Sequence, residues 1–178
     1  MRDTGQDVMR LAVGLLLALF LAPGSQAQST TGTMPEESRQ GHRGQGYLFI
    51  APGMYIGNAD SIAILHVGGG GEFLVYRGLG VGAEVGAIGA LQESRDGLGL
   101  FSANGSYHFS RLRKLSPFLS GGYSIVGGNG QRNLVNFGGG VNYWLRERIG
   151  LRLEFRDHVY ADGTGRQLLG FRVGFAFR

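Results

Sequence analysis

Large apolar side chains recur at every second position near the C-terminal end of the sequence. Leu169, Phe171, Val173, Phe175 and Phe177 alternate with Gly170, Arg172, Gly174 and Ala176. Successive strand side chains point to opposite faces, so this pattern predicts a strand with one greasy face and one small or charged face. Upstream, Ile149, Leu151, Leu153, Phe155 and Val159 share one parity, and Gly150, Arg152, Glu154, Arg156 and His158 the other. Before them, Val135, Phe137, Val141, Tyr143 and Leu145 alternate with Asn136, Gly138, Gly140, Asn142 and Trp144. Followed back along the chain, the alternation predicts eight strands, over residues 46–56, 63–76, 79–92, 97–109, 117–126, 131–145, 148–160 and 166–177. Phe101 and Tyr107 hold the apolar parity of the fourth. Such lengths suit the roughly 9–11 tilted residues with which a strand crosses a bilayer. The linkers Gly57-Asn58-Ala59-Asp60, Glu93-Ser94-Arg95-Asp96, Gly128-Asn129-Gly130 and Ala161-Asp162-Gly163-Thr164-Gly165 are rich in turn formers. The expected fold class is therefore all-β, an eight-stranded antiparallel up-and-down transmembrane β-barrel. Its first strand is the least regular, because Pro52 lacks a ladder donor and Gly53 invites a bulge.

Which face meets water decides what kind of barrel this is. A soluble barrel turns its apolar face inward, and a membrane barrel inverts that polarity. Here the apolar parity carries bulky groups, while the opposite parity is mostly Gly, Ala, Ser and Asn with a few charges. Eight strands enclose an interior barely wide enough for side chains, so small residues belong inside and large ones outside. The residues expected to face lipid are Phe101, Tyr107, Phe137, Tyr143, Leu151, Leu153, Phe155, Phe171, Val173, Phe175 and Phe177. An open sheet in hydrocarbon would leave backbone groups unpaired, so the strands must close. An even strand number lets both ends of the barrel's chain lie in the periplasm. The periplasmic connections would then be the short ones carrying Arg77, Arg111, Arg113, Lys114, Arg146 and Arg148, either touching anionic headgroups or simply solvated.

The first 27 residues read as a targeting segment. Arg2 and Arg10 precede the apolar run of residues 11–22, too short to span a bilayer; Pro23 and Gly24 follow, then Ser25-Gln26-Ala27 with small residues at a cleavage point. The expectation is export by the Sec pathway with a cleaved signal peptide, and residence in the bacterial outer membrane. Residues 28–45 form a polar leader without periodicity, and 46–178 the barrel domain. Composition agrees: 34 glycines without a G-X-Y period exclude collagen, and 17% charged against 43% hydrophobic residues argues against disorder. Absence of cysteine excludes disulfides, thiolate metal sites and a lipidated cysteine. The formal charge of +4 does not point to nucleic acid, since the aromatics fall at strand positions.

Residues 136–158, NFGGGVNYWLRERIGLRLEFRDH, resemble the G-x-G-V-x-Y…R-L-E-Y-R segment of the OmpA-like transmembrane and related small outer-membrane β-barrel families, and 117–128, PFLSGGYSIVGG, their preceding strand. The resemblance implies an eight-stranded barrel, insertion by the outer-membrane assembly machinery and a polar network in the lumen. The family ends its last strand on an aromatic; Phe177 fits, and Arg178 after it departs from the pattern.

The inward parity gathers Glu72, Glu84, Arg152, Glu154, Arg156 and Arg172, with His66, His108 and His158 near them. Charges in a low-dielectric interior must be paired, so three carboxylates and three guanidiniums are expected to form an ionic network, either rigidifying the barrel or gating small solutes. His108-Phe109-Ser110 has the His-x-Ser spacing used by lipid A deacylases of this kind of barrel, but Arg111 stands where asparagine belongs and no orienting carboxylate is apparent. The glycines of 78–86 have the wrong spacing for a dinucleotide loop, and the histidines are scattered, so neither cofactor nor metal is expected. These features predict a non-enzymatic outer-membrane barrel with a structural or surface-interaction role. The alternatives are a narrow porin-like channel and a lipid A-modifying enzyme. Expected partners are outer-membrane lipids and, during insertion, the assembly machinery, with no nucleic acid and no identifiable protein partner.

Overall fold

The computed structural model describes residues 43–58, 60–91, 97–110, 114–128 and 130–178. The predicted targeting segment and nearly all of the leader lie outside these. Eight strands follow in order: β1 (Gly44–Ile56), β2 (Ser61–Tyr76), β3 (Leu79–Ala90), β4 (Leu98–His108), β5 (Leu115–Gly127), β6 (Arg132–Trp144), β7 (Ile149–Tyr160) and β8 (Gln167–Phe177). Every boundary falls within two residues of the one read from alternation. Each strand pairs antiparallel with its sequence neighbours, and β1 pairs with β8, so the sheet closes with no free edge. One end of the barrel holds Gly44, Phe177 and the β2–β3, β4–β5 and β6–β7 turns; it is called the terminal end here, and the opposite one the distal end.

The bulge expected at Gly53 is absent. β1 runs in one register against both neighbours, through Pro52 and Gly53. The missing donor of Pro52 shows only as a gap in the β1–β8 ladder at Ala51 and Pro52. A Cβ at Gly53 would sit 2.3 Å from the Leu169 carbonyl oxygen, so glycine here serves close approach to β8. The register shift lies instead between Leu74 and Tyr76, beside the Arg77-Gly78 turn. Both turn residues have positive φ, 39° and 94°, as the tight hairpins that match strand twist require.

The alternation holds around the sheet. Phe101, Tyr107, Phe137, Tyr143, Leu153, Phe155, Phe171, Val173 and Phe175 are exposed on the outer surface, while Leu151 and Phe177 share that parity and are half-buried. Among the described strand residues, Asp157 alone is charged and outward in parity; it is recessed to 8% exposure between its cross-strand neighbours Phe137 and Leu169.

Candidate functional site

Alternation on β2, β3, β7 and β8 brings all six predicted lumen charges inside the barrel, where each is buried. Arg172 on β8 donates two parallel bonds of 2.8 Å to the carboxylate of Glu84 on β3, across the lumen, and Glu84 Oε2 also accepts the Tyr47 hydroxyl at 3.1 Å. This forked pairing gives the strongest geometry a guanidinium and a carboxylate can adopt. Glu154 sits between the three arginines. It accepts Arg152 Nε at 3.1 Å and Arg156 Nε at 2.6 Å, and Arg172 Nη1 stands 3.9 Å away. Toward the terminal end, Glu72 contacts His108 Nε2 at 3.0 Å and Arg152 Nη1 at 3.7 Å and is bonded by Gln45 and Ser106. Toward the middle, Arg156 Nη1 donates to Asn136 Oδ1 at 2.5 Å, and Asn136 Nδ2 in turn donates to Asn104 and Ser124. The charges therefore form one connected chain, Glu84–Arg172–Glu154–Arg152–Glu72, with Arg156 as a branch. Three negative and three positive groups balance, which is what makes burial of six ions tolerable.

Aromatic rings fill the spaces between guanidiniums. The Arg152 guanidinium lies 3.9 Å from the centroid of Phe118 and 4.3 Å from that of Tyr47, and Arg172 lies 4.2 Å from that of Phe49. The aromatic ring supplies a negative face without adding charge. Room for these large groups comes from inward glycines. A Cβ at Gly140 would lie 2.1 Å from the Leu153 carbonyl oxygen and press on Glu154.

The distal third of the interior departs from the expected mixture of small and charged groups. Ile64, Ile88, Leu100, Val126, Leu134 and Leu168 point inward from six strands and pack together, all buried, and Tyr55 of β1 and Tyr160 of β7 pack against them. Every strand thus gives one side chain to a continuous apolar layer across the mouth; Leu134, at 0% exposure, is sealed within it. Its signal was present in the sequence as apolar residues on the inward parity near strand ends.

Two small cavities of about 10 Å³ each lie in the interior, one between Ile64, Ile88 and Leu168 of the apolar layer and His66, His158, Arg156 and Arg172, the other in the ionic part beside Glu72, Asn104, Arg152 and Arg156. His66 and His158 face each other at 6.3 Å between ring centroids, beneath the apolar layer. His108 has the carboxylate partner that sequence alone did not reveal, Glu72 from β2, but it is buried in the terminal end and stacked on Phe118. No group of three or more metal-ligating side chains occurs among the described residues.

Above the apolar layer, the β7–β8 connection folds on itself. Asp162 accepts the Thr164 hydroxyl at 2.5 Å and the Thr164 amide at 3.1 Å and pairs with Arg166, whose guanidinium lies 4.7 Å from the Tyr160 ring centroid. Bonding from the Thr164 hydroxyl and amide, with Arg166 beside it, holds the Asp162 carboxyl down to about 2.

A closed eight-stranded meander with a filled lumen matches solved structures. The Neisserial surface protein A structure superposes with a TM-score of 0.64 at 13% identity, covering 76% of this chain and 97% of the other. The N-terminal β-barrel domain of Pseudomonas aeruginosa OprF gives 0.51 at 20% identity, covering 75% and 99%. The fold is that of the small outer-membrane barrels. At these identities the likeness extends to the fold alone. No family model matches the chain, and no curated protein matches its sequence.

Proposed function

We propose that the protein is an integral outer-membrane barrel with a structural or surface-interaction role, non-enzymatic and closed to solutes. The observation that carries this reading is the apolar layer across the distal mouth, stacked on a connected ionic core. A conducting pore needs a continuous polar path, and among the described residues neither the apolar layer nor the cavities of about 10 Å³ beneath it offer one. The outward belt of exposed Phe, Leu, Val and Tyr supports membrane residence, because water would penalise that surface and acyl chains would not. The burial of His108 inside the terminal end supports a non-enzymatic role, since a lipid substrate has no access to it. Surface interaction would fall to the distal connections, which are short in sequence.

Planar-bilayer recording of the refolded protein tests closure, and urea extraction of membranes from expressing cells tests residence. The expected result is a urea-resistant, heat-modifiable protein without unitary conductance. Conductance steps in the wild type would replace this reading with the channel, and complete release by urea would replace it with a soluble barrel.

A further inference from the structure

The two ends of the barrel carry different charge. Among the described residues, the terminal end carries Arg43, Arg77, Lys114, Arg146, Arg148 and Arg178 against one side-chain carboxylate, Glu147, and the β4–β5 connection adds Arg111 and Arg113 in sequence. The described residues of the distal connections include Asp60 and Asp162 against Arg166, with Arg132 at the start of β6, and the β3–β4 connection adds Glu93, Arg95 and Asp96 in sequence. One end is strongly basic and the other near neutral.

The basic end also has an aromatic shelf. Tyr76, Tyr107, Phe109 and Tyr143 are exposed on the outer surface just inside the ring of cations. The Arg77 guanidinium sits 5.3 Å from the Tyr76 ring centroid, and Lys114 Nζ 5.2 Å from that of Tyr143. Amphipathic rings settle at the boundary between acyl chains and headgroups, and long cationic side chains reach outward from it. Ring and cation together hold positive charge at the depth of lipid phosphates. No salt bridge to a carboxylate involves Arg77, Lys114, Arg146 or Arg148 among the described residues, so their charge is available to an anion.

We propose that this basic and aromatic rim binds the phosphate of anionic glycerophospholipids, selecting them from zwitterionic ones in the leaflet around the terminal end. The inference rests on the membrane reading above. Attraction of a polybasic rim to anionic headgroups is additive over cations and screened by salt. The rim therefore gathers phosphatidylglycerol-type lipid around this end, with no counterpart at the distal end.

The test is lipid association of the full chain refolded into phosphatidylcholine vesicles doped with spin-labelled phosphatidylglycerol or spin-labelled phosphatidylcholine. The wild type is expected to favour the anionic label by about threefold at low salt, approaching equality at high salt. The fourfold variant R77Q/K114Q/R146Q/R148Q is expected to lose at least half of the preference while keeping heat-modifiable mobility. R146Q/R148Q leaves both ring–cation pairs in place and gives about half of the fourfold variant's loss, which covers failure of the fourfold variant to insert. R132Q/R166Q, at the distal end, keeps the full preference. Equal association of both labels with the wild type overturns the inference and leaves the membrane reading standing, as does a preference that survives the fourfold change undiminished or falls equally in R132Q/R166Q. A chain that inserts into no vesicle overturns both.

Discussion

The interior of the barrel is filled in two ways, by paired ions toward the terminal end and by aliphatic groups at the distal mouth. In the ionic part each group depends on a named partner across the lumen: Arg172 of β8 reaches Glu84 of β3, and Arg152 of β7 reaches Glu72 of β2. In the apolar layer, Leu134 and its neighbours need only volume and a dry surface. The first arrangement fixes which strands stand opposite one another and costs desolvation of six ions. The second adds hydrophobic stabilisation without directional demands. A lumen of this width accepts both, but their responses to substitution differ.

The largest expected effect is in the ionic part. Glu84→Ala leaves the Arg172 guanidinium buried and short of its forked partner, at a cost of about 3–5 kcal/mol. The midpoint of urea unfolding in vesicles measures it. The double change Glu84→Ala with Arg172→Ala should restore part of the loss, since no orphaned charge remains. A cost near zero for Glu84→Ala alone would mean that water reaches the network, and the contrast with the distal layer would fall.

Leu134→Ala in the apolar layer is expected to cost about 3 kcal/mol, from lost burial and the cavity left behind. No partner substitution should rescue it, because nothing polar is orphaned. Leu134→Met, which conserves volume, should cost less than about 1.5 kcal/mol. By contrast Arg172→Lys, equally conservative in charge, should behave as a true loss, because an ammonium cannot make the fork. Equal tolerance of the two conservative changes would erase the distinction between the fillings.

Glycine substitutions sharpen the comparison at smaller scale. Gly140→Ala pushes a methyl group into the β7 backbone and Glu154, for an expected loss of about 1–3 kcal/mol. Gly121 has the outward parity, and a Cβ there meets nothing closer than 3.5 Å. Gly121→Ala should stay within about 0.5 kcal/mol of the wild type in the same unfolding assay.

How much of this was legible in sequence follows from what alternation can encode. Parity alone placed Glu72, Glu84, Arg152, Glu154, Arg156 and Arg172 inside, and strand limits to within two residues. It could not say that Glu84 meets Arg172, 88 residues away, because that pairing depends on curvature and on register summed around the closed sheet. The Glu72–His108 contact was hidden for the same reason. The apolar layer is not apparent from alternation because Ile64, Ile88, Leu100, Val126, Leu134 and Leu168 lie singly on six strands, and only closure of the barrel makes them neighbours. The bulge was expected at Gly53 and occurs at the Arg77-Gly78 hairpin instead, since local glycine content does not distinguish close strand approach from a register shift.

The smallest expected effect concerns the β7–β8 connection at the distal end. Asp162 titrates near 2 in the folded connection, below about 3.9 for an unperturbed aspartate. A depressed carboxyl contributes stability that is present above the unfolded value and is lost as pH falls toward the folded one. The clasp of Asp162 on Thr164 and Arg166 should therefore loosen between about pH 4 and pH 2. Because Asp162 is exposed, screening keeps the contribution to barrel stability slight. The protection of the Thr164 amide, taken relative to its intrinsic exchange rate at each pH, should fall over that interval, while the amides of the aliphatic residues beneath, whose side chains bind no protons, keep theirs. Asp162→Asn should abolish the pH response of the Thr164 amide and leave the unfolding midpoint at neutral pH nearly unchanged. If Leu134 and Leu168 lost protection together with Thr164, the connection would be sealing the mouth and the apolar layer would not be closing the barrel by itself.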